Sequence, residues 1–349
     1  MSIISIATEV QPYTPIWQAR WDDFVSCSST GTFFHSTAWK AVIEKVFGYT
    51  AWYFLAESDG VIKGVLPLFL VKKPLRGQVL ISVPFGVYGG ICADSPDVAE
   101  QLQKKGESLS RELHVDFLEL RHVKAGGLDL PIKELYFTFS REIFDGEEKN
   151  MSAIPRKQRR MIRQGRNHDL KSKIGGKEFL KDFYHIYSAS LRNLGTPAFP
   201  YRYFEVLLEE LGDRCRILTV WYQNQMASAV MTFCYQDQLL PYYGGGLPQF
   251  LRYAVYDFMY WELMRYGWEH GYRVFDFGRS KQGTGAYDFK RHWGFDPQPL
   301  QYQYYLPNGG ALPNVNPSNP KIQPFISLWK KLPLSVANLI GPQVIKYLP

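Results

Sequence analysis

The chain reads as a mixed α/β protein in which one helix-and-strand unit is used twice. Three observations predict this. The order helix, hairpin, strand, helix, strand runs through residues 33–122 and returns after residue 177. "YGG" at 88–90 is echoed by "YGGG" at 243–246, each closing a strand-like run. "FLELR", ending at Arg121, is echoed by "FDFGR", ending at Arg279. Gly89 to Arg121 spans 32 residues and Gly244 to Arg279 spans 35, so the repeat is a duplicated layer and not a short-period solenoid. At 349 residues the chain also exceeds a typical single core. The expected domains are 1–148, 149–310 opening with a basic helix, and a partly helical tail over 311–349.

The elements follow in order. "FFHSTAWKAVIEKVFG" (33–48) predicts a helix, with Ser36 as N-cap, apolar residues at helical spacing and Gly48 as a stop. In "AWYFLAESDGVIKGVLPLFLVKK" apolar runs flank the turn "ESDG", a β-hairpin pattern. "QVLISVPFGVYGGICAD" gives a short strand and a glycine break; "AEQLQKKGESLSRELHV" gives a helix leading into the strand "DFLELR". In the second half "GKEFLKDFYHIYSASLRNLG" and "PYRYFEVLLEELGDR" are helical. Three strands joined by turns end on "YYGGG", and a long helix, "RYAVYDFMYWELMRYGWEHG", precedes the strand "RVFDFG". After the glycine turn "RSKQGTG", "AYDFKRHWGF" reads as an aromatic, strand-like run returning to a cleft.

The formal charge of +7 is concentrated. Residues 149–177 hold ten Lys or Arg and one Asp, a net +9, so the remainder sums to −2. That pattern fits one phosphorylated or polyanionic partner better than general stickiness. From about Ile154 this segment has helical period. Ile154, Gln158, Met161, Ile162 and Gly165 form a stripe that leaves Arg156, Arg159, Arg160, Arg163 and Arg166 around the rest. The segment reads either as a phosphate- or RNA-binding face or as a solvated one; His168 is its only ring, which argues against base-specific reading. Cys27, Cys92, Cys215 and Cys234 are scattered, as are the seven histidines, so reduced thiols and no structural metal are expected. No apolar run is long enough to span a membrane, and the first residues lack a secretory pattern, so the expected location is cytoplasmic. The lysine-bearing apolar segment "FISLWKKLPLSVANLIGPQVIKYLP" packs on the body or lies peripherally on an anionic membrane.

Four stretches, "HSTAW", "YGGI", "PRKQRRMIRQGRNHDL" and "YYGGG…DFGRSKQGTGAYDFKRHWGF", resemble the FemAB-like family in order and spacing. "DFGRSKQGTGAYDFKRHWGFDPQPLQYQYYL" is most similar to a subgroup found beside exosortase and exopolysaccharide genes. The resemblance implies two tandem GNAT-like domains. It also implies an N-acyltransferase that moves an aminoacyl group, with aminoacyl-tRNA as donor, to an amine of a cell-envelope or exopolysaccharide precursor. No bound cofactor is implied, since the donor is consumed. The alternatives are an acyl-CoA-dependent enzyme of the same fold and a non-catalytic protein that binds a glycan precursor or assembly partner. In "RSKQGTG" the CoA-type Q/RxxGxG/A pattern is imperfect, because its Q/R position falls on Ser280.

Acyl transfer to an amine needs held reactants, a neutral amine and donors for the developing oxyanion, each donor worth ~3–4 kcal/mol. No GxSxG or Cys/His signature demands a covalent nucleophile. Lys290, after the aromatic Tyr287 and Phe289, can meet a carbonyl or phosphate from a partly dry pocket, and the resemblance implies that a lysine here contacts the acyl donor. The bland reading is a strand-capping lysine. Arg279, at a strand's C-terminal edge, is the second catalytic candidate, against an internal salt bridge to Asp276 or Asp288. Substrate-binding candidates are Tyr242, Tyr243, Gly244 and Gly245 in "YYGGG", Arg192, Thr196, Tyr201 and Arg202 in the loop "LRNLGTPAFPYRYF", Ser280, Tyr287 and Phe289, and Tyr88 and Gly89 in the first domain, against the bland reading of these stretches as a hairpin turn, a rigid connection and structural glycines.

Overall fold

The computed structural model describes residues 8–73, 77–124, 127–313 and 323–349. The first residues of the chain and part of the 311–349 tail thus lie outside the described residues. Two compact units result, one reaching Leu135 and including the returning segment from Pro299, the other formed by 136–298 with the C-terminal helices.

In the first unit the elements are β1 (Glu9–Pro12), α1 (Gln18–Cys27), α2 (Thr37–Phe47), β2 (Thr50–Ser58), β3 (Val61–Lys72), β4 (Gln78–Ser82), β5 (Cys92–Ala93), α3 (Pro96–Glu112), β6 (Leu118–His122) and β7 (Ile132–Lys133). The expected helix forms as read: Ser36 Oγ accepts from the Trp39 amide, and Gly48 closes α2 in the left-handed region. Asp59 and Gly60, both at positive φ, turn the hairpin β2–β3. The sheet order is β1-β2-β3-β4-β6, then the returning strand Gln301–Tyr305, then β7. β4 and β6 are parallel, and α3 makes the crossover between them.

The second unit contains β8 (Tyr136–Thr138), β9 (Ser140–Glu142), α4 (Glu147–Ser152), α5 (Arg156–Asn167), β10 (Lys171–Gly175), α6 (Leu180–Leu194), α7 (Tyr201–Leu211), β11 (Cys215–Tyr222), β12 (Gln225–Tyr235), β13 (Gln238–Gly246), α8 (Val255–Glu269), β14 (Val274–Asp276), β15 (Ser280–Lys281), α9 (Gly285–His292), α10 (Gln323–Trp329) and α11 (Leu334–Ile345). Its sheet runs β10-β11-β12-β13-β14-β9. β13 and β14 are parallel with α8 between them, which repeats the β4-α3-β6 arrangement and bears out the duplicated layer. Trp261, Trp293, Phe258 and Phe275 fill the core under this sheet.

Two boundaries differ from the sequence reading. The second unit begins at Tyr136, because β9 pairs antiparallel with β14 and closes its sheet. The strand Gln301–Tyr305, expected in the second domain, pairs with β6 in the first unit's sheet. "AYDFKRH" is the helix α9 and not a strand: Thr284 Oγ1 accepts from the Tyr287 amide, an N-cap that sets helical geometry.

Candidate functional site

The second unit's parallel pair opens into a gap. β13 and β14 pair only at Gln238↔Val274 and Leu239↔Phe275, and β13 then continues to Gly246 while β14 ends at Asp276. On its other edge β13 pairs Pro241 with Thr232 and Tyr243 with Met231, leaving Tyr242 at a register shift. Such a bulge bends a strand and re-aims its side chains. The gap therefore lies at the C-terminal ends of parallel strands, where open α/β sheets bind ligands.

Lys290 closes one rim of this gap. From α9 its Nζ donates to Phe277 O at 2.7 Å, Gly278 O at 3.0 Å and Arg279 O at 3.1 Å. The side chain is 8% exposed and runs beside the Phe139 and Phe277 rings. Burial pushes its pKa down to about 7, Arg279 adds to the push, and the Asp276 carboxylate opposes it. Three acceptors match the three N–H groups of an ammonium. The lysine expected to meet a ligand is thus a clamp on the backbone that leaves β14. The Asp276 carboxylate fixes the same turn by accepting from the Gly278 amide at 2.7 Å. Arg279 is half-buried with its guanidinium 4.6 Å from the Tyr136 ring centroid. Ser280 Oγ is buried beside this clamp in sequence and has no hydrogen-bond partner among the described residues.

The remaining candidates divide. Tyr242 is half-buried at the bulge, whereas Tyr243 is core: its hydroxyl bonds that of Tyr203 at 2.9 Å amid Tyr187, Phe199 and Phe204. Gly244 is half-buried, and a side chain at Gly245 would come within 2.7 Å of Ser190, so this glycine lets α6 pack on β13. Tyr287 is buried against Phe137 and Phe139, and Phe289 is half-buried beside Tyr260. Arg192 donates to Leu332 O at 3.2 Å and so ties down the C-terminal segment. Thr196 is exposed, Tyr201 rests edge-on against Tyr184, and Arg202 pairs with Glu205 and Glu209 on its own helix.

In the first unit the two glycine-motif residues are structural. Tyr88 is buried against Phe34, and a Cβ at Gly89 would collide with Ser82 O. The neighbouring Gly90 (φ +92°) would collide with the His122 ring, and its carbonyl accepts from His35 Nε2 and Ser82 Oγ. "HSTAW" and "YGGI" therefore meet in one buried polar cluster, in which burial pushes His35 and His122 down to about 4.

The basic helix docks by the stripe read from sequence: Gln158, Ile162 and Gly165 are buried and Met161 is half-buried, with Gly165 against Phe258 of α8. Arg166 pairs with Glu147 at 2.7 Å and lies over Trp261. Arg156, Arg160 and Arg163 are exposed and Arg159 half-exposed, with no ion pair to any described residue. Sequence reasoning missed the rings beside this helix. Tyr253 stacks on Tyr222 at 4.3 Å, meets His168 edge-on and carries Arg252 over its face.

It also missed Asp257, 8% exposed in the first turn of α8, which accepts from Trp293 Nε1 at 3.0 Å. Burial raises its pKa from 3.8 to about 6, against the pull of Trp293 and Lys157. A raised carboxyl favours folding below its unfolded pKa, and that contribution is lost as pH rises through about 6. Asp257→Asn should therefore gain on the wild type by ~2–3 kcal/mol between pH 4 and 7, read from urea unfolding at each pH. Parallel pH profiles would contradict this.

Among the described residues no three His, Cys, Asp or Glu side chains converge as metal ligands, and no helix is long and apolar enough to cross a membrane.

Residues 154–291 match the acetyltransferase (GNAT) domain family. No curated protein sequence matches the chain. Among solved structures, FemX is similar over 85% of this chain and 97% of its own, with a TM-score of 0.68 at 15% identity. L-PGS from Bacillus licheniformis is similar over 86% of this chain and 96% of its own (TM-score 0.54, 13% identity). A tandem GNAT protein from the clavulanic acid biosynthesis pathway is similar over 87% of this chain and 100% of its own (TM-score 0.51, 9% identity). The chain has the fold of FemX and of the tandem GNAT protein, and residues 154–291 match the acetyltransferase (GNAT) domain family.

Proposed function

We propose that the chain is an N-acyltransferase that moves an aminoacyl group from aminoacyl-tRNA to an amine of a cell-envelope or exopolysaccharide precursor at the cytoplasmic face of a membrane. The observation that carries the chemistry is the gap between β13 and β14, which lies inside the stretch matching the GNAT family. Beyond Leu239 the gap-facing edge of β13 pairs with no strand among the described residues, which leaves that edge placed to donate to an acyl carbonyl. Lys290 and Asp276 hold the opposite rim rigid, which is the positioning that acyl transfer needs. Lys290 acts here as a positioning residue, and Arg279 and Tyr242 are the side chains assigned to the acyl group and acceptor amine.

Two features favour tRNA over CoA. On helix α5, Arg156, Arg159, Arg160 and Arg163 have no ion pair to any described residue, whereas Arg166 is paired with Glu147. The loop entering α8, Leu247–Ala254, has no glycine pair, and Asp257 in the first turn opposes a pyrophosphate there. Acyl-CoA is the second reading, favoured by one observation: "RSKQGTG" opens the helix α9, as a phosphate loop would.

Purified chain is incubated with labelled aminoacyl-tRNA and, separately, with acyl-CoA, each with a set of envelope amines. Amine-dependent loss of the tRNA-borne label is expected. Loss of CoA label alone moves the donor to the second reading, and consumption of neither leaves a binding protein. The combined change Arg159→Ser, Arg160→Ser and Arg163→Ser should weaken tRNA binding most at low salt and reduce the salt slope by about 2–3, near 0.9 per phosphate contact. An unchanged slope would remove α5 from the donor site.

A further inference from the structure

The C-terminal helices leave an apolar face that no described residue of the second unit covers. In α11 the inward residues are Ala337, Gly341 and Ile345, spaced i, i+4, i+8. The outward arc holds Leu339 (76% exposed), Ile340 and Val344, interrupted by Ser335 and Gln343. α10 repeats the pattern: Ile326 and Trp329 turn inward, Phe325 (72% exposed) and Leu328 outward. Six of the twelve exposed large hydrophobic side chains among the described residues fall between Phe325 and Leu348, so exposed apolar surface is concentrated in this segment. A helix apolar on both faces is buried or lies in lipid.

Charge selects the occupant. Residues 323–349 contain Lys330, Lys331 and Lys346 and no acidic residue. We infer that α10 and α11 form a docking surface for an anionic lipid bilayer, lying in the interface with the apolar arc inserted and the lysines at the headgroups. The anchor is held to the body from beneath: Arg192 donates to Leu332 O, and Asn338 Nδ2 to Ser188 Oγ at 3.4 Å. Neither helix reaches the length of a span, so the contact is peripheral and reversible. The surface is independent of donor and acceptor identity, and its test needs no catalysis.

The full chain is sedimented with phosphatidylcholine vesicles with and without phosphatidylglycerol. Binding is expected with the anionic vesicles and should fall with salt. Replacing Phe325, Leu328, Leu339 and Ile340 together by Ser should lower it by tenfold or more, and so should Lys330→Gln with Lys331→Gln and Lys346→Gln, roughly as expected for three surface lysines. Because these side chains are exposed, Lys346 alone being half-buried, the melting curve should change little. Absence of binding by the wild type, or undiminished binding by both variants, overturns the inference. So does self-association without lipid that the serine variant abolishes, which would assign the face to a second copy.

Discussion

Lys290→Met is expected to destabilise the chain by ~3–5 kcal/mol and lower the melting temperature by roughly 10 °C, with acyl transfer lost alongside. Methionine preserves the stem but leaves the carbonyls of Phe277, Gly278 and Arg279 without their donor. An orphaned buried acceptor costs about 1–3 kcal/mol, and three that can partly relax fall in the stated range. The pH dependence separates this clamp from simple cavity formation. With its folded pKa pushed from 10.5 to about 7, Lys290 has lost its proton in the folded state while the unfolded chain still holds one. Wild-type stability should therefore gain a rising component between those two values, absent from the methionine variant. A variant that melts with the wild type would show the lysine free to serve a ligand.

Arg121→Leu is expected to cost ~3–5 kcal/mol in the first unit. The buried guanidinium donates through Nε to Glu119 Oε1 at 2.6 Å and through Nη1 to Val83 O at 3.0 Å and Gly86 O at 2.8 Å. Leucine would leave the Glu119 carboxylate in the core with no counter-charge. Adding Glu119→Leu should recover much of the loss, because removing both charges also removes the desolvation cost. Urea unfolding of the two variants gives the comparison. A single-variant loss below ~1 kcal/mol, or no recovery in the double variant, would contradict it. The two cations do parallel work: each gathers backbone carbonyls next to its unit's parallel strand pair.

What was legible in the sequence was local or periodic. Ser36 and Gly48 mark the ends of α2, "ESDG" marks the hairpin, and the stripe on α5 needs only a helical period. The repeat itself was visible in "YGG" and "FLELR", and the two parallel pairs confirm it. The misread parts depend on distant partners. β9 is three residues long and exists because β14 offers an open edge, and Gln301–Tyr305 is a strand because β6 does. α9 holds two aromatic residues in eight, a pattern short enough to read as a strand until the Thr284 cap is seen. Lys290 was found by its neighbours in sequence, but its role lies in three carbonyls eleven to thirteen residues away. Tyr243 reads as cleft lining from sequence because a tyrosine suits a groove wall and a core equally well, and only tertiary packing decides.

In the proposed function the acyl donor binds in the gap between β13 and β14. Amide hydrogen exchange of the full chain, with and without a hydrolysis-resistant, amide-linked aminoacyl-tRNA analogue, tests it most directly. Slowed exchange is predicted in 240–246 and 277–281, the two rims of the gap. Protection confined to α5, or none at saturating analogue, would contradict it.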